Sequence, residues 1–300
     1  MAKAPTNIAA SVRQRLLNLA RSEQRVFDVV LVAFGLERLI YRLSVSTYRD
    51  RFVLKGGMLV TLWTVDPGRF TRDVDFLAFG DDDDSSLRAA FVDILAIDGG
   101  DGLVFDAAQI VTEPIREDQV YGGRRLKTKA YLGKTEIPIT IDLGFGDALG
   151  DPKFEIQYDS LLDFDPATIR AYSPATVIAE KFQAVVNLGL ANSRMKDFYD
   201  LWAVPKAVEI DPEELARTLH ATFERRQTDI PTECPAGLSQ AFARDPAKIT
   251  QWAAYSESTE LEAIPLEDVS ASIWNWIAPA CRRARELAAI QKPSTPPQQA

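Results

Sequence analysis

A β-hairpin is the strongest local signal in the sequence. Arg124–Leu132 and Glu136–Leu143 both read as strands, and the short segment Gly133-Lys134-Thr135 separates them. Two strand-like runs joined through a glycine-containing turn are typical of paired antiparallel strands. The runs Val74–Phe79 and Leu103–Val111 predict further strands in the same half of the chain. The first half is therefore predicted to contain a β-sheet together with helices.

Helical spacing dominates the rest of the chain. Ser173 followed by Pro174 predicts an N-cap with proline in the first helical position. Two helices also precede the sheet, the first capped by Asn7 and the second by Ser22. The predicted class is α+β, a mixed sheet followed by helices. The predicted domains are 1–165 with the N-terminal helices, a helical domain at 166–292 and a disordered tail at 293–300.

Composition narrows the chemistry. The chain has 300 residues, 46% of them hydrophobic, and no apolar run long enough to cross a bilayer, so we expect a cytoplasmic protein without a membrane partner. One histidine and two cysteines exclude a His-rich metal site and a disulfide framework. A bound metal would be a hard cation held by carboxylates. The net charge of −9 argues mildly against a nucleic-acid partner, although an average hides local patches.

The segment Lys55-Gly56-Gly57 follows an apolar run and precedes a helical pattern. Glycines at such a junction let the backbone approach a ligand, and the N–H groups at a helix start face phosphate oxygens. An ordinary turn explains the glycine pair at least as well. The segment alone therefore leaves both interpretations open.

Three aspartates fall on predicted strands. Asp73 and Asp75 stand two positions apart, so one face of a strand carries both carboxylates, about 7 Å apart. Neighbouring carboxylates repel, and a shared cation relieves the repulsion. Asp142 interrupts the apolar strand Ile137–Leu143 and adds a third carboxylate for two-metal phosphoryl transfer. Exposed strand positions are the alternative for all three.

Charged residues also recur on the predicted helices of the second half. Lys181 lies on the helix that Pro174 starts, and Arg194 and Asp197 share a helix face through their spacing of three. A solvated lysine and an ordinary ion pair would explain them. The functional hypothesis is that Lys181 meets a triphosphate while Asp197 holds Lys181 or the nucleotide in place.

Taken in order, these motifs resemble the AbiEii/AbiGii family of toxin nucleotidyltransferases, which includes the MenT toxins. The resemblance covers about residues 50–202 and is carried by the segments 55–57, 72–75, 141–143, 180–181 and 194–200. Met58 departs from the pattern, because many nucleotidyltransferases have serine after the glycines. A phosphate contact at that point would therefore come from the backbone rather than from a hydroxyl.

The resemblance implies a polymerase-β-like nucleotidyltransferase fold whose helical domain completes the active-site cleft. By position, Asp73 and Asp75 match the family's metal ligands, for Mg²⁺ or Mn²⁺. Lys181 and Asp197 match its essential lysine and aspartate, and we expect Asp142 to complete the metal shell or accept a proton. The residues expected to bind the nucleotide are Lys55, Gly56, Gly57, Arg72, Lys181 and Arg194.

The predicted reaction is transfer of a nucleotide from a nucleoside triphosphate to an RNA acceptor, with release of pyrophosphate. The resemblance implies the tRNA 3′ end as the acceptor, a block on translation, a role in toxin–antitoxin or phage-defence systems, and a cognate antitoxin as partner. Two alternatives stay open. One is AMP or UMP transfer to a protein hydroxyl, and the other is a non-catalytic protein that binds nucleotide or antitoxin.

The best basic cluster consists of Arg124, Arg125, Lys127 and Lys129. On a strand the last three share a face, where they would form a strip along an RNA backbone. An edge strand protected from aggregation by its lysines is the alternative.

Overall fold

The computed structural model describes residues 7–64, 66, 68–115, 122–147, 153–258 and 264–291. The chain divides into two compact units, Met1–Asp147 with Pro152–Tyr172 and Ala148–Asp151 with Ser173–Ala300. The first unit is mixed α/β and the second is helical, which confirms the predicted class. The division falls after Tyr172, a few residues beyond the predicted boundary at 165, and the predicted tail lies outside the described residues.

Within the described residues, the first unit is built on a six-stranded mixed sheet of order β1-β2-β6-β5-β3, with β4 also paired to β5. β2 and β6 run parallel, and the other pairs are antiparallel. β7 and β8 form a separate two-stranded sheet. The elements are α1 (Ile8–Ser22), α2 (Phe27–Ser44), β1 (Phe52–Lys55), α3 (Gly57–Thr64), β2 (Val74–Ala78), α4 (Asp84–Leu95), β3 (Leu103–Phe105), β4 (Val111–Ile115), β5 (Gly123–Leu132), β6 (Thr135–Phe145), β7 (Glu155–Tyr158) and β8 (Ala167–Arg170).

The predicted hairpin is confirmed and lies inside the sheet. β5 and β6 are paired along most of their length, and Gly133 makes the turn with a φ of 64°. The buried face of β6 carries Ile137, Ile139 and Ile141. Helix α2 packs on this face at Gly35, where an added Cβ would lie only 3.0 Å from Ile139 Cδ1. Because strand residues alternate, the opposite face of β6 carries its polar side chains.

Two local predictions were wrong. The run Leu103–Val111 is not one strand, because a 3₁₀ turn at Ala107–Gln109 separates β3 from β4 and each pairs with a different stretch of β5. Ser22 ends α1 instead of capping α2. Gln24, with a φ of 55°, turns the chain there, so α2 begins only at Phe27.

The described part of the second unit consists of α-helices, and a longer connection with a 3₁₀ turn at Ala236–Leu238 joins α7 to α8. Ser173 Oγ accepts the N–H of Thr176 with Pro174 in the first turn, as predicted. No helix in the described part of the chain is both long and apolar enough to span a membrane. The helices are α5 (Pro174–Leu188), α6 (Met195–Ala207), α7 (Pro212–Arg225), α8 (Gln240–Ala243), α9 (Pro246–Ser258) and α10 (Leu266–Gln291).

A buried ion cluster ties α2 to the segment before β3. The carboxylate of Asp101 is fully buried and accepts bonds from Arg38 Nε at 2.8 Å and from Arg42 Nη1 and Nη2 at 2.7 and 2.9 Å. The N–H of Leu103 donates a further bond to it at 3.0 Å. Charges removed from water are costly unless they are fully paired, and this network supplies the pairing.

Asp101→Asn should lower the free energy of unfolding by about 3–5 kcal/mol, because it leaves two buried guanidinium groups without their counter-charge. Urea unfolding followed by circular dichroism measures the change. Asp163→Asn is the matched control, since its carboxylate pairs with Arg15 at 2.8 Å but its side chain is 97% exposed. Equal stability of the two variants would contradict the prediction.

Candidate active site

A row of charged residues crosses the polar face of the sheet. Lys55 on β1 is the register partner of Asp75 on β2. Asp75 is in turn the partner of Asp142 on β6, and Asp142 is the partner of Arg125 on β5. Register partners on neighbouring strands project from the same face. We call these four residues the charged row: two carboxylates side by side with a cation at each end.

The guanidinium of Arg125 forms a two-pronged ion pair with Asp142. Arg125 Nε donates to Oδ1 at 2.7 Å and Nη2 donates to Oδ2 at 2.6 Å. These hydrogen bonds raise the pKa of Arg125 above its ordinary value, against the opposing effect of burial, and the negative charges of Asp73 and Asp75 raise it further. All three predicted carboxylates therefore act electrostatically on this one guanidinium.

The glycine pair is shaped around the carboxylate of Asp75. Gly56 has a φ of 71°, and a Cβ added there would lie 2.0 Å from Asp75 Oδ2. The N–H of Gly57, the first residue of α3, points at the same oxygen across 3.4 Å. Met58 follows with a side chain that is only 3% exposed, so it packs in the core. The glycines thus make room for a side chain of the protein itself.

Asp73 lies immediately before β2, so the prediction that one strand face carries both Asp73 and Asp75 was wrong for Asp73. Its Oδ1 accepts the hydroxyl of Thr71 at 2.5 Å, which orients the carboxylate. The neighbouring Arg72 is exposed, and its guanidinium lies 5.6 Å from the centre of the Phe70 ring.

Asp147 is a residue of this site that the sequence reasoning missed. It follows β6, and its Oδ2 accepts from Lys55 Nζ at 2.8 Å with both side chains largely buried. The ammonium of Lys55 also lies 5.4 Å from the centre of the Tyr172 ring. Lys55 is therefore held at the end of the charged row rather than extended into solvent.

The second unit holds its own cluster, centred on Lys181. Its ammonium contacts Asp197 Oδ1 at 2.5 Å and Asp200 Oδ2 at 2.8 Å. Arg194 Nε contacts the other oxygen of Asp197 at 3.0 Å. The structure thus brings together the three residues predicted here and adds Asp200, which is fully buried. The signal for Asp200 was its place three positions after Asp197, on the same face of α6.

The predicted RNA-binding cations each contact a carboxylate. Arg125, Lys127 and Lys129 share a strand face as expected, but each has an acidic neighbour there. Arg124 points to the other face. The pairs, besides Arg125 with Asp142, are Arg124 with Asp84 at 2.8 Å, Lys127 with Glu113 at 2.7 Å and Lys129 with Glu136 at 2.8 Å.

The carboxylates of the first unit suit a hard divalent cation. Among the described residues no group of three or more His, Cys, Asp or Glu side chains is placed to hold a metal ion by itself. Because Asp142 is paired with Arg125, the predicted ligands that remain for a cation are Asp73 and Asp75. Mg²⁺ is commonly held by one or two carboxylates, with substrate phosphates and waters completing its shell, and Mn²⁺ accepts the same oxygen donors.

Residues 38–277 match the family model described as nucleotidyl transferase AbiEii toxin, type IV TA system. The protein is thus a nucleotidyltransferase. It belongs to the AbiEii toxin family, as predicted, and so to the toxins of toxin–antitoxin systems.

Solved structures that resemble the chain include two from Helicobacter pylori. A candidate nucleotidyltransferase from H. pylori is 16% identical with a TM-score of 0.46, and the alignment covers 88% of this chain and 98% of that one. JHP933 from Helicobacter pylori is also 16% identical with a TM-score of 0.48, over 86% of this chain and 96% of that one. No curated protein matches the chain.

Gly56→Ala should displace the Asp75 side chain and weaken binding of Mn²⁺, because the added methyl group occupies the position of the carboxylate. Gly80→Ala is the matched control: Gly80 has a φ of 82°, and nothing lies within 4 Å of a Cβ added there. Both variants should lose about 1–2 kcal/mol of stability through backbone strain.

Only Gly56→Ala should change the affinity for Mn²⁺, measured by calorimetry on the purified full-length protein. Wild-type affinity in this variant would show that the fit between Gly56 and Asp75 does not matter for the cation.

Proposed function

We propose that this protein transfers a nucleotide from a nucleoside triphosphate to the 3′ end of a tRNA and thereby blocks translation. The observation that carries the proposal is the charged row beside Asp73, in a chain of the AbiEii family. Neighbouring carboxylates on adjacent strands are unfavourable unless cations compensate them. Their presence on the polar face favours a catalytic role over a structural one.

The bond changes follow from this chemistry. An acceptor hydroxyl oxygen attacks the α-phosphorus, a new P–O bond forms, the bond to the β-phosphate oxygen breaks and pyrophosphate leaves. A bound Mg²⁺ or Mn²⁺ supplies neutralisation of phosphate charge and a lower pKa for the attacking hydroxyl. Asp73 and Asp75 would hold that cation. Asp142 either completes its shell or accepts the hydroxyl proton at a carboxylate oxygen.

The remaining residues balance the charge of the phosphates. Lys55 and Arg72 contribute positively charged side chains at the carboxylate site. The first turn of α3, which begins at Gly57, offers backbone N–H groups to a phosphate oxygen. In the second unit, the side chains of Lys181 and Arg194 supply further positive charge. Asp197 and Asp200 hold the ammonium of Lys181 in one position, which reduces the entropy that it loses on binding a phosphate.

The RNA acceptor rests on family membership, and a second candidate has an observation in its favour. Each of the four predicted RNA-binding side chains contacts a carboxylate, and the chain carries a net charge of −9. Compensated charge weakens attraction to an RNA backbone. Transfer to a protein hydroxyl, as AMP or UMP, is therefore the second candidate. A cytoplasmic location, a cognate antitoxin and a role in phage defence complete the proposal.

Incubation with each of the four α-labelled nucleoside triphosphates, total RNA and total protein tests the reaction. Label should enter tRNA in the presence of Mg²⁺ or Mn²⁺, and Asp75→Asn should reduce transfer by more than about 100-fold, because a metal ligand is lost. Asp82→Asn, which changes an exposed acid of the same unit, should transfer normally. Label in protein instead would select the second candidate, and no transfer with any triphosphate would refute both.

Lys181→Met should lower kcat/KM for the nucleoside triphosphate by about 100-fold or more, the usual effect of removing a preorganised charge from the phosphates. It also leaves Asp197 and Asp200 without the ammonium between them, which lowers stability. The double variant Lys181→Met/Asp200→Asn separates the two effects. It should recover part of the free energy of unfolding but none of the transfer, and recovery of transfer would show that Lys181 is structural.

A further inference from the structure

Arg125 occupies both oxygens of the third carboxylate. The two bonds to Asp142, at 2.7 and 2.6 Å, form the two-pronged geometry in which a guanidinium holds a carboxylate most firmly. A guanidinium keeps its charge at any physiological pH, so the contact does not switch off by deprotonation. Asp142 is therefore less available to a cation than its place beside Asp75 suggests.

The neighbouring strand leaves Arg125 free for this contact. Arg125 is also the register partner of Glu113 on β4, yet Glu113 pairs with Lys127 at 2.7 Å. The guanidinium turns to the β6 side, where Asp142 is only 14% exposed. Asp73 and Asp75 act on it electrostatically as well. Arg125 thus supplies the positive charge that reduces repulsion among the three carboxylates.

We propose that Arg125 is a positioning residue that competes with the divalent cation for Asp142, so that the third carboxylate joins the cation site only when its contact with Arg125 is given up. The inference deepens the proposed function and rests on it in one respect, because it takes Asp73 and Asp75 as the cation site. It reassigns Arg125 from the RNA-binding strip to control of the carboxylates.

Competition between Arg125 and the cation for Asp142 predicts opposite changes in stability and in cation affinity, which a purely structural role of Arg125 does not. Without the guanidinium, the carboxylates repel one another more strongly in the cation-free protein, which lowers its stability. The same change leaves Asp142 available to the cation, which raises cation affinity. A structural arginine would lower stability and affinity together, because a distorted site binds its ligand less well.

Binding of Mn²⁺ to the full-length protein in the absence of nucleotide tests the proposal, with the electron paramagnetic resonance signal of free Mn²⁺ as the readout. Arg125→Gln should bind Mn²⁺ about tenfold more tightly than the wild type, the factor expected when a charge-assisted contact no longer competes. Its melting temperature without cation should fall. Lys127→Gln removes the next cation on the same strand face and should leave Mn²⁺ affinity unchanged.

Two further variants complete the experiment. In an Asp142→Asn background, Arg125→Gln should give a much smaller gain in affinity, because the contested carboxylate is already gone and only the weaker electrostatic effect of Arg125 on Asp73 and Asp75 is removed. Arg125→Lys keeps the charge without the two-pronged geometry and should bind with intermediate affinity, which preserves the test if Arg125→Gln does not fold. Unchanged or weaker binding by the Arg125 variants, or an equal gain in the Asp142→Asn background, would overturn the proposal.

Nucleotide transfer is not part of this measurement. If the protein transfers nucleotides but its Mn²⁺ affinity does not change in the Arg125 variants, the proposed function stands and the inference about Arg125 is wrong. If the variants bind Mn²⁺ as expected but the protein transfers no nucleotide, the proposed function is wrong and the inference about Arg125 stands.

Discussion

Electrostatic repulsion between Asp75 and Asp142 is the constraint on which the site depends. The two carboxylates are register partners on parallel strands, where hydrogen bonding fixes the backbones at close spacing. The two carboxylates cannot move apart without breaking the sheet. Their negative charge therefore has to be compensated by positive groups close to them. Lys55 at one end of the row and Arg125 at the other provide part of that compensation. A divalent cation at the carboxylates would provide the rest.

Apolar packing on the opposite face of the same strands offsets the destabilising effect of the neighbouring carboxylates. Ile137, Ile139 and Ile141 are buried on the reverse side of β6. Burial of each such side chain contributes about 1.5–3 kcal/mol. Helix α2 covers these residues and is itself fastened by the ion cluster around Asp101. One face of the sheet therefore holds the fold together while the other carries the charge.

Local patterns predicted much of this from the sequence. The hairpin and the positions of Asp75 and Asp142 follow from strand patterns and spacing, which depend only on neighbouring residues. Asp147 was out of reach because its contact with Lys55 depends on strand order, which no local pattern encodes. The pairing of Arg125 with Asp142 follows from the register of the predicted hairpin, but the sequence analysis did not draw it. The spacing of Asp200 from Asp197 was visible in the sequence, but its burial against Lys181 was not, since an acid on a helix looks the same in sequence whether it is solvated or enclosed.

The parallel pairing of β2 with β6 sets the order in which the site can be assembled. The hairpin of β5 and β6 closes through a short turn and needs only nearby residues. β2 leaves the ribosome well before it, and meets β6 only after helix α4, β3, β4 and the hairpin have all been synthesised. During translation the nascent chain therefore carries Asp73 and Asp75 for some time before Asp142 exists. Assembly of the three acids therefore has to wait until the hairpin has been synthesised.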